Sequence, residues 1–254
     1  MKPTLKYSEM YITNVCNYSC THCQSFNNYA FKGHQRWDDY KDEYELLSKK
    51  LDIGIIQLMG GEPTLNPDFN KWLKGISNLW PTAKLQISTN GSTLNKLTQD
   101  VYDVLSKNNG TLWITCHDIK LYDGFLDFIN TFLDVIVSDT GEEPARRVSR
   151  IFIDKNGVEV ILDWSQTFRA SAMDLVNKQL TLGYDSDVDE AHDVCGFKTC
   201  HQLNKGKLYK CPLVSVLPDF LNQFNVAVAD KELAHAYQPM SHDDDVEKFV
   251  NNLV

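Results

Sequence analysis

The sequence predicts an α/β fold built on a parallel sheet, with a small cysteine-containing C-terminal extension. Two observations carry the first part. Short apolar runs alternate with amphipathic stretches through residues 5–138, and strands alternating with helices imply parallel βαβ units with right-handed crossovers. Four such units in a row suit a full or partial barrel, or a doubly wound sheet. A third observation marks the extension: three of the seven cysteines lie at 195, 200 and 211, beyond the alternating region.

The expected strands are 5–13 (LKYSEMYIT), 53–59 (IGIIQLM), 84–88 (KLQIS), 111–116 (TLWITC) and 133–138 (LDVIVS). Between them the apolar residues return at helical spacing over 37–50, 66–80, 97–107 and 122–132. Asn66 before Pro67 reads as an N-cap followed by proline at the first helical position. The runs 148–154 and 158–164 flank 155-KNG-157, a hairpin signal, although 158–164 also suits a sixth barrel strand. A second short hairpin is expected at 204-NKG-206. Short helices close the chain, the last opening at 243-DDD-245. A soft boundary falls within 165–190, giving a core at 1–165 and an extension at 166–254.

With 43% hydrophobic and 23% charged residues, the chain has ordinary globular composition. The net charge of −9 and the lack of Lys/Arg clusters argue against duplex nucleic acid and anionic membranes as partners. No apolar h-region opens the sequence, and no run nears the roughly 18 apolar residues of a membrane span. The expected location is cytoplasmic. Thiols there stay reduced, so clustered cysteines point to metal or catalysis rather than disulfides.

In barrels and open parallel sheets alike, active sites lie beyond the C-terminal ends of the strands. Four stretches follow the first four strands: 16-CNYSCTHC-23, 59-MGGEP-63, 88-STNG-91 and 115-TCHD-118. They should converge on one rim. Cys16, Cys20 and Cys23 supply three thiols where a structural zinc site wants four ligands. A four-iron cluster held by three thiolates would keep one iron open, whereas zinc would need a distant fourth ligand. Gly60 and Gly61 permit close backbone approach and unusual backbone angles. Glu62 offers a carboxylate suited to an ammonium, or a solvated side chain at a tight turn. Thr89 and Asn90 suit hydroxyl groups, yet Asn-Gly is also an everyday turn.

The C-x3-C-x2-C spacing, GGEP and TNG, in that order over residues 10–140, resemble the radical S-adenosylmethionine (radical SAM) superfamily. The resemblance implies a partial (β/α)6 TIM-like barrel. It implies that Cys16, Cys20 and Cys23 hold a [4Fe-4S] cluster, with His22 at a position often aromatic in the family. SAM would chelate the open iron through its amino and carboxylate groups. An electron would then split its C–S bond, and the resulting 5′-deoxyadenosyl radical would take a hydrogen atom from substrate. Gly60, Gly61 and Glu62 would hold the SAM amino group, with Thr89, Asn90 and Thr115 as further contacts. An external electron donor such as flavodoxin or ferredoxin is implied.

By strand alternation, Thr115 and His117 would face the pocket and Cys116 the helices, as a buried thiol. His117 and Asp118 are candidate pocket residues, with Asp139, Asp163 and Trp164 further along. The segment 195-CGFKTCHQLNKGKLYKCP-212 is similar to the auxiliary-cluster regions, SPASM and twitch, of some radical SAM subfamilies. It lacks their closing cysteine pair. Cys195, Cys200 and Cys211 would hold a second iron–sulfur cluster, with His192, His201, His235 or Asp193 as fourth ligand, or with one iron left for substrate. Structural zinc is the alternative. The expected activity is hydrogen abstraction from a small-molecule, sugar or peptide substrate. Two other readings stand beside it: an activase for a glycyl-radical or other partner protein, and a non-catalytic metal-binding protein on the same fold.

Overall fold

The computed structural model describes residues 2–20, 23–133, 135–140, 147–165, 173–176, 179–182, 187–195, 198–225, 227–228 and 239–251. His22 and His235 lie outside them. β1 (Thr4–Tyr11), β2 (Asp52–Met59), β3 (Lys84–Thr89) and β4 (Thr111–Cys116) form consecutive parallel neighbours. α1 (Trp37–Ser48), α2 (Phe69–Leu79) and α3 (Gln99–Lys107) connect them, and α4 (Tyr122–Phe132) follows β4. One core joins these strands to the helices, with Met10, Ile56, Leu58, Ile87, Leu112 and Trp72 at its centre. The apolar residues alternate along each strand, so one sheet face enters this core and the other carries a different set.

The expected N-cap of α2 is corrected. Asn66 does not cap it; Asp68 stands at that position. Asn66 is buried, and its side-chain amide donates to Ile12 O (2.6 Å) and Gln35 O (2.9 Å) while its Oδ1 accepts from Asp68 N–H (2.8 Å). Two carbonyls from the segment after β1 claim the group, and the helix starts later.

The fifth expected strand forms, as β5 (Val135–Thr140), but not beside β4. It lies at the sheet edge, antiparallel to β6 (Arg147–Asp154), which is antiparallel to β7 (Glu159–Ser165); β7 takes the parallel place beside β4. Local chemistry explains the choice. Asp154 Oδ1 accepts from Asn156 N–H and Val158 N–H (both 2.8 Å), and Gly157 has φ +79°, closing the β6–β7 hairpin. Glu159 then accepts from Thr111 Oγ1 (2.6 Å) and Lys84 Nζ (2.9 Å), which ties β7 to β3 and β4. Asp139, on β5, is therefore remote from the β1–β4 rim.

Downstream come β8 (Met173–Val176), β9 (Gln179–Leu182), α5 (Val188–Asp193), β10 (His201–Asn204), β11 (Lys207–Tyr209), α6 (Pro212–Phe224), β12 (Ala227–Val228) and α7 (Val246–Asn251). β8, β9 and β12 make a small separate sheet. The expected hairpin at 204–206 forms with Lys205 and Gly206 both at positive φ (50° and 75°), as a type I′ turn requires. Its β10 strand runs parallel to β1 and extends the main sheet on that side. Leu203, Leu208, Met240 and Val246 enter the same core as β1–β4.

Gln35 locks this edge. Its Nε2 donates to Tyr11 O (2.8 Å) and Asn204 Oδ1 (2.7 Å), and its backbone O accepts from the Trp72 indole (3.0 Å). Gln35→Ala leaves buried groups unpaired and should destabilise the protein by about 1–3 kcal/mol. Urea unfolding measures this, and an Asn204→Ala change in the same chain should cost less than it does alone.

Candidate active site at the strand ends

The Cys16 loop, the GGEP turn and the TNG turn meet in one place. Gly61 N–H donates to Thr13 O and Glu62 N–H to Val15 O, both at 2.8 Å. A Cβ on Gly60 would stand 2.5 Å from Thr13 O, and one on Gly61 2.3 Å from Val15 O. The glycine pair is needed for this close approach, to the chain's own backbone. The expected unusual angles are absent, since neither residue has positive φ.

Glu62 has no exposed surface. Its Oε1 accepts from Thr64 N–H (3.2 Å), Thr64 Oγ1 (2.5 Å) and Thr89 Oγ1 (2.8 Å), and its Oε2 accepts from Asn90 N–H (2.7 Å). Burial still dominates and raises its pKa above the ordinary carboxylate value. No Lys, Arg or His pairs with it among the described residues. Oε2 accepts only one of these four bonds, and an oxygen with two lone pairs can accept one more.

Asn90 extends the link. Its Nδ2 donates to Asn17 Oδ1 (2.9 Å) and lies 3.8 Å from Cys16 Sγ. Gly91 turns the chain at φ +80°, where a Cβ would come within 2.6 Å of the Phe125 ring. Tyr18 N–H donates to Cys16 Sγ (3.4 Å), and the Cys23 thiol approaches Asn27 Oδ1 (3.5 Å). Cys16, Cys20 and Cys23 are all half-buried. Burial pushes the Cys20 thiol up to about 11, with Cys23 and Cys16 adding to the rise. Thiols such as Cys16 and Cys20, whose ionisation burial and neighbouring groups oppose, suit a cation that would stabilise the thiolates.

On β4, Cys116 is buried in the core, as alternation requires, and Thr115 faces the other way. Thr115 pairs in register with the buried Asp163, and Cys116 with Trp164. His117 is half-buried and meets the Tyr18 ring edge-on at 6.0 Å; burial lowers its pKa. It therefore adjoins the cysteine loop. Asp118 is exposed and caps a short turn by accepting from Lys120 N–H (3.0 Å).

Sequence reasoning missed a polar row on this second face. Gln202, Glu9, Gln57, Gln86, Thr111 and Glu159 are successive register partners across β10, β1, β2, β3, β4 and β7. The side-chain amides of Gln57 and Gln86 have no hydrogen-bonding partner among the described residues. The period-2 placement of each residue was readable, but the register that aligns them was not.

The second cysteine group lies beside β1. Cys200 immediately precedes β10, and Cys211 occupies the N-cap of α6. Cys195, Cys200 and Cys211 are half-buried; burial and neighbouring charges push Cys200 up to about 11. Among the described residues, no three His, Cys, Asp or Glu side chains are close enough to share a single metal ion. A four-iron cube binds each thiolate through a different iron, so its ligands stand farther apart than those of one ion.

Residues 10–119 match the family model described as the Radical SAM superfamily. The GTP 3′,8-cyclase of Nautilia profundicola is 29% identical over 101 residues, 39% of this chain and 32% of that protein. The Pseudomonas fluorescens GTP 3′,8-cyclase is 31% identical over 99 residues, 38% of this chain and 30% of that protein. The chain thus spans about a third of the length of these curated relatives. Among solved structures, BtrN in complex with AdoMet and 2-DOIA aligns over 48% of this chain and 52% of that one, with 24% identity and a TM-score of 0.37. Streptococcus suis SuiB bound to S-adenosylmethionine aligns over 49% and 27%, with 19% identity and a TM-score of 0.37. Residues 10–119, which carry the cysteine loop, the GGEP turn and the TNG turn, are thus similar to the radical SAM superfamily.

Proposed function

We propose that this protein is a radical SAM enzyme acting on a small-molecule, sugar or peptide substrate. The observation that carries the reading is the hydrogen-bonded link from Glu62 through Thr89 and Asn90 to Cys16. A buried carboxylate without a cationic partner, one residue removed from a thiol loop, fits a ligand that brings an ammonium and a cluster-binding end together. The parallel strands β10, β1–β4 and β7 are read as the partial (β/α)6 barrel of the family, with residues 166–254, which supply β10, as its extension.

Cys16, Cys20 and Cys23 hold the [4Fe-4S] cluster in this reading. Glu62 Oε2 accepts from the SAM ammonium, with the Gly60–Gly61 backbone beside it. Thr89, Asn90 and Thr115 orient the rest of SAM, and His22 flanks the cluster. When bound, the cluster and SAM supply the electron and the 5′-deoxyadenosyl radical that abstracts a hydrogen atom. The chain's own part is to orient the substrate and keep water out. Gln57 and Gln86, whose side-chain amides are unpaired among the described residues, and His117 offer it hydrogen bonds. Cys195, Cys200 and Cys211 hold an auxiliary iron–sulfur cluster. The enzyme works in the cytoplasm with a flavodoxin- or ferredoxin-like donor. Among the described residues no helix is long and apolar enough to cross a membrane.

The reconstituted, reduced protein should release 5′-deoxyadenosine from SAM, and Cys16→Ala, Cys20→Ala or Cys23→Ala should abolish it. A fully loaded protein that releases none would favour the non-catalytic reading. Iron should count roughly eight per chain and fall to about four when Cys195, Cys200 and Cys211 are all changed to Ala. Equal counts near four would remove the auxiliary cluster.

Glu62 gives a pH test. Its raised pKa means that acidification neutralises it earlier than an ordinary carboxyl. SAM affinity should therefore fall as pH drops through that elevated range, and Glu62→Gln should remove the dependence. At neutral pH the substitution should weaken SAM binding about tenfold or more, the size of one charged hydrogen bond. Calorimetric titration across pH reads both effects.

A further inference from the structure

The second cysteine group has three thiols, and its fourth ligand is the open question. The structure sorts the candidates. Side chains alternate along β10, so His201 shares a face with Leu203, which is packed in the core with Met10 and Ile12. Cys200 and Gln202 share the opposite face. His201 is thereby turned away from Cys200, and its Nδ1 lies 3.3 Å from Lys210 O. His192 and Asp193 are exposed on α5.

One buried carboxylate does face Cys200. Glu9 pairs in register with Gln202, and Ser8 with His201. Continued by one residue, that register sets Tyr7 level with Cys200, so Tyr7 and Glu9 share the face of Cys200 and Gln202. The β10–β11 pairing joins Gln202 to Tyr209. Two residues further along, Cys211 comes level with Cys200. Glu9 is only 6% exposed; its Oε2 accepts from Gln202 Nε2 (2.9 Å) and its Oε1 from Tyr7 OH (3.5 Å). No Lys, Arg or His among the described residues pairs with it. A buried carboxylate without a cation is costly, and a metal centre is the positive charge that three adjoining thiolates would also require.

We propose that Glu9 is the fourth protein ligand of an iron–sulfur cluster held by Cys195, Cys200 and Cys211. The proposal rests on the reading that these thiols hold such a cluster. It closes the site with four protein ligands, so no iron there is left for substrate, and substrate meets only the SAM end of the pocket. Glu9 lies on β1, far in sequence from the cysteines, and draws the extension's cluster into the main sheet.

The test uses the full chain with Cys16, Cys20 and Cys23 changed to Ala, so that only the second site is loaded, with ferrous iron and sulfide as the probe. About four irons per chain are expected, with a reduced-state electron paramagnetic resonance signal that added cyanide leaves unchanged. Glu9→Ala should open one iron, so that cyanide now shifts the signal and a chelator strips the iron at least about tenfold faster. Glu9→Cys should restore both resistances, and its recovery separates lost ligation from lost folding. A cyanide shift with Glu9 intact, or a Glu9→Ala spectrum and chelation rate equal to the parent's, overturns the role of Glu9 alone. Failure of the parent to take up iron overturns the cluster reading itself.

Discussion

The buried charge of Glu62 is the constraint on which the rim depends. Moving a carboxylate out of water costs several kcal/mol unless hydrogen bonds replace the solvent. Here the replacements come from two separate places in the chain: Thr64 in its own turn, and Thr89 with the Asn90 backbone at the end of β3. The charge therefore fixes where β2 and β3 end relative to each other. Asn90 carries the same constraint on to Asn17 and Cys16. Even with these donors desolvation prevails, which leaves the turn favouring an incoming cation. Gly60 and Gly61 follow from this geometry, since a side chain at either would push the GGEP turn off the segment of Thr13 to Cys16, while one at Gly91 would meet Phe125 and Ile114.

A second set of buried polar groups ties the far end of the chain to the same rim. Asn66 donates to Gln35 O, and Gln35 donates to Asn204. Asn204 Nδ2 donates to Ser215 O (2.8 Å), the Ser215 hydroxyl bonds Gln202, and Gln202 donates to Glu9. Fully satisfied networks of this kind select one arrangement over its neighbours. Their effect is to hold the β10–β11 hairpin and α6 in register with the segment after β1. Phe26, Phe31 and Phe220 pack with Tyr11 above this set, the Phe26 and Phe220 rings stacked at 4.3 Å. The β10–β11 hairpin and α6 are thus fastened by both polar and apolar contacts.

Much of this was legible in the sequence where the cause was local. β1–β4 announced themselves as short apolar runs, and both hairpins through turn chemistry at Asn156-Gly157 and Lys205-Gly206. The convergence of Cys16, Glu62 and Asn90 followed from strand ends sharing one rim. What escaped was set by register and by distant partners. Asn66 reads as a cap because Asn before Pro usually is one; the two carbonyls that claim its amide come from residues 54 and 31 positions away. β5 and β7 look equally suited to the place beside β4, and only Lys84 and Thr111, which receive Glu159, distinguish them. Glu9 is an unremarked acid in a strand until Gln202 arrives 193 residues later.

β1 relates the two cysteine groups to each other. One group hangs from the loop beyond its C-terminal end, and the other lies level with Tyr7 near its start. From Tyr7 to Ile12 the chain is extended, and at about 3.3 Å per residue this stretch spans roughly 16 Å. That separation is set by the number of residues in a strand hydrogen-bonded on both sides, so it cannot vary as a loop-borne spacing would. The face between carries Glu9, Gln57 and Gln86 in one row and Tyr11 and Met59 above it. A molecule lying along that face would meet the side-chain amides of Gln57 and Gln86, which have no partner among the described residues, on its way to the Cys16 loop. The sheet thereby turns two sequence motifs almost 180 residues apart into the two ends of one surface.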